Sequence, residues 1–189
     1  RVVDTTDLSA VETAYAEVET ALGPLDVFIN NAALKESFMG RPEGVYGAWD
    51  AKFWELDPAR VRRLVEVNTQ GTYHGARVAA AAMVQRGRGS IMNVSTSKST
   101  QIAGGHFPYG PSKSFIDSFT LAAAEQLKPF GVRVNAILPG GRVNLRDAAR
   151  PGGRAFDIMV PLTLYLASDA SRHVTGQILI AEEFNRQMS

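Results

Sequence analysis

Short apolar runs alternate with longer amphipathic stretches along the chain. The runs at 25–29, 90–95 and 132–138 are largely apolar rather than apolar at alternate positions, which is typical of strands buried on both faces. The whole pattern predicts strands at 1–3, 25–29, 90–95, 132–138 and 177–181, and helices over about 10–21, 58–86, 110–127 and 156–168. Because helices of this length separate the strands, we expect one α/β domain with a mostly parallel sheet.

Residue types at the ends of the segments support the predicted helices. Asp7 or Ser9 is suited to cap the first helix, and Asp57 followed by Pro58 is typical of a helix start. We expect this second helix to bend near Gly71. Loops are predicted at 34–55, 97–108 and 139–153. Aromatic residues of the first loop are candidates for a lid or for the edge of the sheet, with Trp54 expected in the core.

Composition narrows the class of protein. The chain has 189 residues, of which 45% are hydrophobic and 21% charged, so it can bury a core and is not expected to be disordered. The formal charge of +1 gives no indication of a nucleic-acid or membrane-surface partner. Without cysteine, disulfide scaffolds, zinc-thiolate sites and thiol catalysis are excluded, and a reducing, cytoplasmic location is favoured. No apolar run is long enough for a membrane helix.

Polar clusters directly follow four of the predicted strands. In an open parallel sheet, ligands bind beyond the carboxyl ends of the strands, where these clusters meet. The clusters are Asp4–Asp7, Asn30–Asn31, Ser95–Ser99 and Pro139–Asn144. The functional site is therefore expected at this edge, with the loops at about 34–56 and 141–157 as candidates for substrate contact. The three histidines show no metal-ligand spacing, and no metal site is expected.

The segment Tyr109-Gly110-Pro111-Ser112-Lys113 carries the strongest chemical signal. A helix that begins near Pro111 places Tyr109 and Lys113 about one turn apart on the same face. A nearby ammonium favours the phenolate and lowers the pKa of a tyrosine from its usual value near 10, towards the range useful for proton transfer. The segment therefore predicts a tyrosine that acts as an acid or a base.

Hydroxyl side chains precede this tyrosine in the chain. Thr96 lies 13 residues before Tyr109 and Ser97 lies 12 before, both just after the strand at 90–95. Either hydroxyl can donate a hydrogen bond to the oxygen of a substrate carbonyl. Hydroxyl residues after strands also commonly cap turns, so this pattern alone leaves the choice between the two open.

Taken in order along the chain, these motifs resemble the short-chain dehydrogenase/reductase family. The similar segments are Asp26–Ala33, Val67–Gly71, Met92–Thr96, Tyr109–Lys113 and Asn135–Gly140. They resemble, respectively, the D-x-x-x-N-N-A-G strand end, the helix Asn followed by Gly, the strand before the catalytic hydroxyl, the catalytic helix, and the strand with the P-G that follows it. Ala33 stands where the family has Gly. The resemblance spans residues 4 to about 181.

The resemblance implies a fold and an activity. It implies a Rossmann-type, doubly wound, three-layer α/β domain, and an oxidoreductase that transfers a hydride between NAD or NADP and a small carbonyl or alcohol substrate. Alternatives from other classes are a non-catalytic NAD(P)-binding sensor or scaffold, and an epimerase or dehydratase on the same fold. The helices at 58–86 and 110–127 resemble those that pair in the family's homodimers and homotetramers.

The resemblance also implies roles for individual residues. Tyr109 is the general acid or base, Lys113 lowers its pKa and binds the nicotinamide ribose, and Asn68 holds a water that links Lys113 to solvent. The family's serine falls on Thr96, or on Ser97 with a one-residue gap. Further cofactor contacts are implied for Asp4, Thr5, Asn31, Ala32, Pro139, Gly140 and Arg142.

One family feature is missing from the sequence. No G-x-G-x-x-G turn, the usual binding element for the cofactor's pyrophosphate, occurs in the chain. In the family's order the run at 1–3 corresponds to the third strand. We therefore expect that the first two βα units, about 60 residues at roughly 30 each, are absent from this sequence and that it is part of a longer chain.

Overall fold

The computed structural model describes residues 2–40, 51–141, 143 and 153–188. Within these residues a single parallel sheet has the order β1-β2-β3-β4, so each strand pairs with its neighbours in sequence. The strands are β1 Val27–Asn30, β2 Gly89–Val94, β3 Val132–Leu138 and β4 Ile178–Ile180. In the register, Met92 lies opposite Asn135 and Leu138 lies opposite Ile180. The predicted parallel α/β architecture is confirmed.

Helices connect the strands. They are α1 Leu8–Leu22, α2 Pro58–Arg86, α3 Lys98–Ile102, α4 Tyr109–Leu127, α5 Val160–Ala167 and α6 Ala181–Met188. Short 3₁₀ turns lie at Glu36–Met39, Phe53–Glu55, Gly104–His106, Lys128–Phe130 and Asp169–Ser171. Among the described helices, none combines the length and the apolar composition that crossing a bilayer requires.

Both faces of the central strands β2 and β3 are covered, which explains why these strands are apolar at successive positions. Ile91 and Met92 are adjacent in β2 and therefore point to opposite faces, and both are fully buried. Ile91 packs with residues of α1, α2 and α4, among them Tyr15 and Met83. Met92 packs in a second cluster with residues of α5, including Leu162. The result is the expected helix–sheet–helix arrangement.

Local signals fix the starts of α1 and α2. The Asp7 carboxylate accepts a hydrogen bond from the amide of Ala10 at 3.1 Å, so Asp7 rather than Ser9 caps α1. Asp57 caps α2 in the same way through the amide of Ala59, at 2.9 Å. These bonds satisfy amides that have no partner within the first helical turn.

The expected bend of α2 near Gly71 is not observed as a break, because α2 runs continuously over 29 residues. Gly71 instead permits a close approach. A Cβ at this position would lie 2.4 Å from Oγ1 of Thr5, a distance that no side chain can accept. The glycine therefore allows the segment before α1 to pack against α2 and fixes the place of Thr5.

Several predicted boundaries are wrong. Val2 and Val3 form no strand, since no described strand pairs with them, and Val2 is fully exposed. The loop predicted at 97–108 contains α3 and a 3₁₀ turn, because Ser97 caps a helix too short to show a period. The helix predicted over 156–168 begins at Val160, and the strand predicted at 177–181 gives way to α6 at Ala181.

The loop predictions have mixed outcomes. Trp54 is 69% exposed and lies in a 3₁₀ turn, so its expected place in the core is wrong. Its ring contacts Phe53, which in turn contacts Phe107 close to the start of α4. Much of the two predicted substrate loops, at 41–50, 142, 144–152, lies outside the described residues.

Candidate active site

Tyr109 and Lys113 lie at the start of α4, where the sequence placed them. The Lys113 Nζ is 5.8 Å from the centroid of the Tyr109 ring, on the same face of the helix. Nζ also donates a 2.7 Å hydrogen bond to the carbonyl of Val94, the last residue of β2. Lys113 is only 4% exposed. The pair is therefore held at the carboxyl end of β2, as expected for a ligand site in a parallel sheet.

The structure separates the two candidate hydroxyls. The Thr96 side chain lies close enough to the phenol of Tyr109 to affect its pKa. The Ser97 hydroxyl is used locally as the cap of α3, where it contacts the amide of Thr100 at 3.4 Å and the hydroxyl of Ser99 at 3.0 Å. The geometry thus brings Thr96, and not Ser97, against Tyr109.

The electrostatics of Tyr109 are opposite to the sequence-based prediction. Burial raises the pKa of Tyr109 to about 12, and the Glu36 carboxylate adds to the rise. The nearby Thr96 side chain opposes both effects but does not cancel them. The predicted lowering by Lys113 is wrong for the chain alone, because the ammonium is directed to the Val94 carbonyl rather than to the phenolic oxygen.

Lys113 itself has a perturbed proton affinity. Burial lowers the pKa of Lys113 from 10.5 to about 8, because a charged ammonium loses its hydration. The positive charge of Lys35 lowers it further, and the carboxylate of Asp117 acts in the opposite direction. Lys113 is therefore a group whose charge changes within an accessible pH range.

Asn68 connects three elements at the site. Its Oδ1 accepts from the amide of Leu34 at 2.8 Å, and its Nδ2 donates to the Leu34 carbonyl at 3.0 Å and to the Ser112 hydroxyl at 2.9 Å. Ser112 donates in turn to the carbonyl of Tyr109 at 2.7 Å. Asn68 is 1% exposed. Its side chain therefore links α2, the segment after β1 and the start of α4.

The residues implied for the adenine side lie together near the start of α1. The Asp4 carboxylate is exposed and accepts from the amide of Thr6 at 3.0 Å and from Arg63 at 2.7 Å. These bonds, the Thr6 amide foremost, lower the pKa of Asp4 to about 2. The carbonyl of Thr5 contacts Nδ1 of His74 at 3.1 Å. Asp4 is therefore ionised at any physiological pH.

The remaining cofactor candidates follow β1 and β3. Asn31 and Ala32 are exposed and line one cavity together with Thr5, beside β1, the outer strand of the described sheet. Pro139 and Gly140 follow β3, and Gly140 has a φ of +93° with Glu182 packed where a Cβ would stand. Arg142 lies outside the described residues.

These residues fit one half of a dinucleotide. An ammonium has three donors, of which Lys113 gives one to Val94, so it retains capacity for the hydroxyls of a ribose. The small, exposed Ala32 leaves room beside the sheet. The sequence has no glycine-rich turn for a pyrophosphate, so no residue is assigned to that group.

Sequence reasoning missed two groups of residues beside this site. Asp117 accepts hydrogen bonds from Ser95 and Gln101, both at 2.5 Å. The spacing of Lys113 and Asp117, four residues apart in a helix, was a signal for the first group. The second is the contact between the Glu36 carboxylate and His106 Nδ1, which had no local signal. No cluster of three or more metal-binding side chains lies among the described residues.

Comparison with known proteins identifies the family. A sequence model described as short chain dehydrogenase matches residues 1–145. Galactitol 2-dehydrogenase (L-tagatose-forming) of Cereibacter sphaeroides is 31% identical over 96% of this chain and 73% of its own length. The mitochondrial borneol dehydrogenase of Lavandula x intermedia is 29% identical over 95% of this chain and 69% of its own.

A solved structure extends the similarity to the fold. The crystal structure of a gluconate 5-dehydrogenase from Burkholderia cenocepacia, in complex with NADP and tartrate, aligns with a TM-score of 0.76 at 26% identity. The alignment covers 95% of this chain and 71% of that one. With its sheet and motif order, the chain belongs to the short-chain dehydrogenase family and is an oxidoreductase that transfers a hydride between NAD(P) and a carbonyl or alcohol.

Proposed function

We propose that Tyr109 is the proton donor and acceptor of this reaction, with Thr96 and Lys113 as its partners. One observation carries the proposal: the phenol of Tyr109 lies close to the Thr96 side chain and beside the buried ammonium of Lys113, at the carboxyl end of β2. NAD(P) supplies the hydride acceptor or donor. The chain supplies the proton, the orientation of the substrate oxygen and the exclusion of water.

In carbonyl reduction, Thr96 donates a hydrogen bond to the substrate oxygen, and Tyr109 gives its proton to the same oxygen as negative charge develops there. The raised pKa of Tyr109 keeps the phenol protonated and ready to donate. In alcohol oxidation, the phenolate must form first, and a charged Lys113 next to it stabilises that form. In the chain alone, Tyr109 is therefore better suited to donate a proton than to accept one.

Asn68 acts on this machinery through position. By its bonds to Leu34 and Ser112 it fixes the segment after β1 against the start of α4. Lys113, Asn31 and Ala32 are assigned to the ribose of the cofactor, and Pro139, Gly140 and Arg142 to its nicotinamide. Asp4 and Thr5 are assigned to the adenine side. Both NAD and NADP remain candidates as the physiological cofactor.

The assembly we propose is a homodimer or homotetramer formed through α2 and α4. Apolar side chains remain exposed on these helices, including Tyr73 at 46% and Leu121 at 47%. Phe115 and Phe119 stack on the same surface with ring centroids 5.7 Å apart. Apolar surface of this kind favours association. Light scattering after size exclusion measures the mass directly. We also propose a cytoplasmic location, since the chain contains no cysteine.

A direct spectrophotometric assay tests the proposed function. The protein is mixed with NAD⁺ or NADP⁺ and with galactitol, L-rhamnose, borneol or fluoren-9-ol, the alcohols and sugar named for its relatives, and the reduced cofactor is followed by absorbance. Reduction of the cofactor with at least one of these compounds is expected. Cofactor binding without turnover of any compound indicates a sensor. Conversion of a substrate with no net change in the cofactor indicates an epimerase or dehydratase.

A further inference from the structure

A buried polar network lies next to Thr96 and Lys113. At its centre is Asp117, one turn after Lys113 on α4. Its Oδ1 accepts from the hydroxyl of Ser95 at 2.5 Å, and its Oδ2 accepts from Nε2 of Gln101 at 2.5 Å. Ser95 and Gln101 are each only 3% exposed. One carboxylate therefore ties the end of β2 and the helix α3 to α4.

The network reaches the backbone of Thr96. The same Nε2 of Gln101 donates to the Thr96 carbonyl at 3.1 Å. The Oε1 of Gln101 accepts from Ser114 at 3.2 Å and from Lys98 at 3.4 Å, so both ends of the amide are used. Because the amide is held at both ends, its orientation is fixed. Residues of α3 and α4 therefore hold the backbone of Thr96 in place.

A carboxylate suits the centre of this network. Two donors converge on Asp117 from different elements, and bonds to an ionised acceptor are shorter and stronger than those between neutral groups. The negative charge of Asp117 also favours the charged form of Lys113, whereas the positive charge of Lys35 disfavours it. Replacement by a neutral amide keeps the shape but changes both the bonds and the field.

We propose that Asp117 and Gln101 are positioning residues for the reaction: Asp117 orients Gln101 and Ser95, and these hold the Thr96 peptide so that its hydroxyl meets the phenol of Tyr109 and the substrate oxygen. The proposal rests on the role assigned to Thr96 above. A network that served only to hold α3 in place would stabilise the fold without acting through Thr96. The two cases predict different values of kcat/KM when substitutions of Gln101 and Thr96 are combined.

A double-mutant cycle separates them. Gln101→Met, which keeps the size of the side chain but removes its donor, is combined with Thr96→Val, and kcat/KM is measured with NAD(P)⁺ and whichever compound of the assay above reacts fastest. We expect Gln101→Met alone to lower kcat/KM about 10-fold or more, and to have less than about a 2-fold effect in the Thr96→Val background. If the losses of kcat/KM in the two single variants multiply in the double variant, the proposal is wrong. A Thr96→Val variant with full activity instead refutes the role of Thr96 in the proposed function.

A second experiment follows the titration of Lys113 together with the pH dependence of kcat/KM. The titration of Lys113 is followed by NMR on chains with ¹³C-labelled lysine, and the signal is assigned by its loss in Lys113→Arg. We expect Asp117→Asn to shift this titration to lower pH and to move the alkaline limb of kcat/KM with it, since the favourable charge is gone. Glu125→Gln, an exposed change on the same helix, should leave both unchanged. A kcat/KM of Asp117→Asn that equals the wild-type value at the pH optimum contradicts the positioning role of Asp117.

Discussion

The Lys113 ammonium lies 5.8 Å from the centre of the Tyr109 ring, yet its hydrogen bond goes to the carbonyl of Val94 and not to the phenol. The two side chains share a face of α4 because they are one turn apart. Each has a perturbed pKa, about 12 for Tyr109 and about 8 for Lys113, and burial is the main cause in both cases. Each side chain is therefore neutral over a wider pH range in the folded chain than it is in water.

Substitution of the two neighbouring hydroxyls should have different effects. Thr96→Val is expected to lower kcat/KM by about 10²–10³, the typical loss for one donor to a developing oxyanion, while Thr96→Ser retains most of the activity. Ser97→Ala should retain activity and lose about 1 kcal/mol of stability as a missing helix cap. Steady-state kinetics and urea unfolding measure the two effects. Equal loss of activity in Thr96→Val and Ser97→Ala would contradict the assignment.

The buried Lys113 should make stability depend on pH. Its pKa is about 8 in the folded chain and 10.5 when unperturbed, so the unfolded chain holds the proton more tightly. The buried charge therefore destabilises the folded chain to its full extent below pH 8. Stability is regained as the pH rises from 8 towards 10.5. Relative to Lys113→Met, the wild type should gain about 1.5 kcal/mol of unfolding free energy between pH 8 and about 9.5.

Urea unfolding at a series of pH values measures this difference. Lys128→Met, at an exposed position, serves as the control and should follow the wild type throughout. Parallel curves for the wild type and Lys113→Met would show that Lys113 is not buried as a charge.

Asn68 should be important for stability as well as for activity. Asn68→Ala removes the partner of the Leu34 amide and carbonyl and one partner of Ser112. Buried polar groups left without partners cost about 1–3 kcal/mol each, so we expect a loss of about 2–4 kcal/mol in urea unfolding. Gln70→Ala, an exposed change on the same helix, should cost little. A loss below about 1 kcal/mol in Asn68→Ala would indicate that these bonds are not made.

Glu36 should control the proton affinity of Tyr109. Its carboxylate raises the pKa of the phenol because a negative charge disfavours the phenolate. Glu36→Gln should therefore lower that pKa and move the acid limb of alcohol oxidation to lower pH. The pH dependence of kcat/KM measures the shift, with Glu125→Gln as a control of the same chemistry at an exposed site. An acid limb that stays in place, or moves to higher pH, would exclude this role.

Sequence reasoning was most successful where structure is local. The buried strands, the caps Asp7 and Asp57, and the shared face of Tyr109 and Lys113 all follow from short-range patterns that the structure retains. The choice between Thr96 and Ser97 could not be made from such patterns. It depends on α3, which has only 5 residues and is too short to show a hydrophobic periodicity in the sequence.

Long-range effects were the least predictable. The pKa of Tyr109 depends on how deeply the ring is buried and on Glu36, a residue from a distant part of the chain. Trp54 is large and aromatic but lies at the surface, since no element of the described fold covers it. Both results arise from tertiary placement, which a single sequence does not contain.

The most direct test of the account replaces the phenol. Tyr109→Phe removes the proton donor while keeping the ring, and kcat/KM for the fastest substrate should fall by about 10²–10⁴ with NAD⁺ or NADP⁺. Tyr73→Phe makes the same change on the exposed surface of α2 and should retain full activity. A Tyr109→Phe enzyme that keeps more than about a tenth of the wild-type kcat/KM would show that the proton comes from another group.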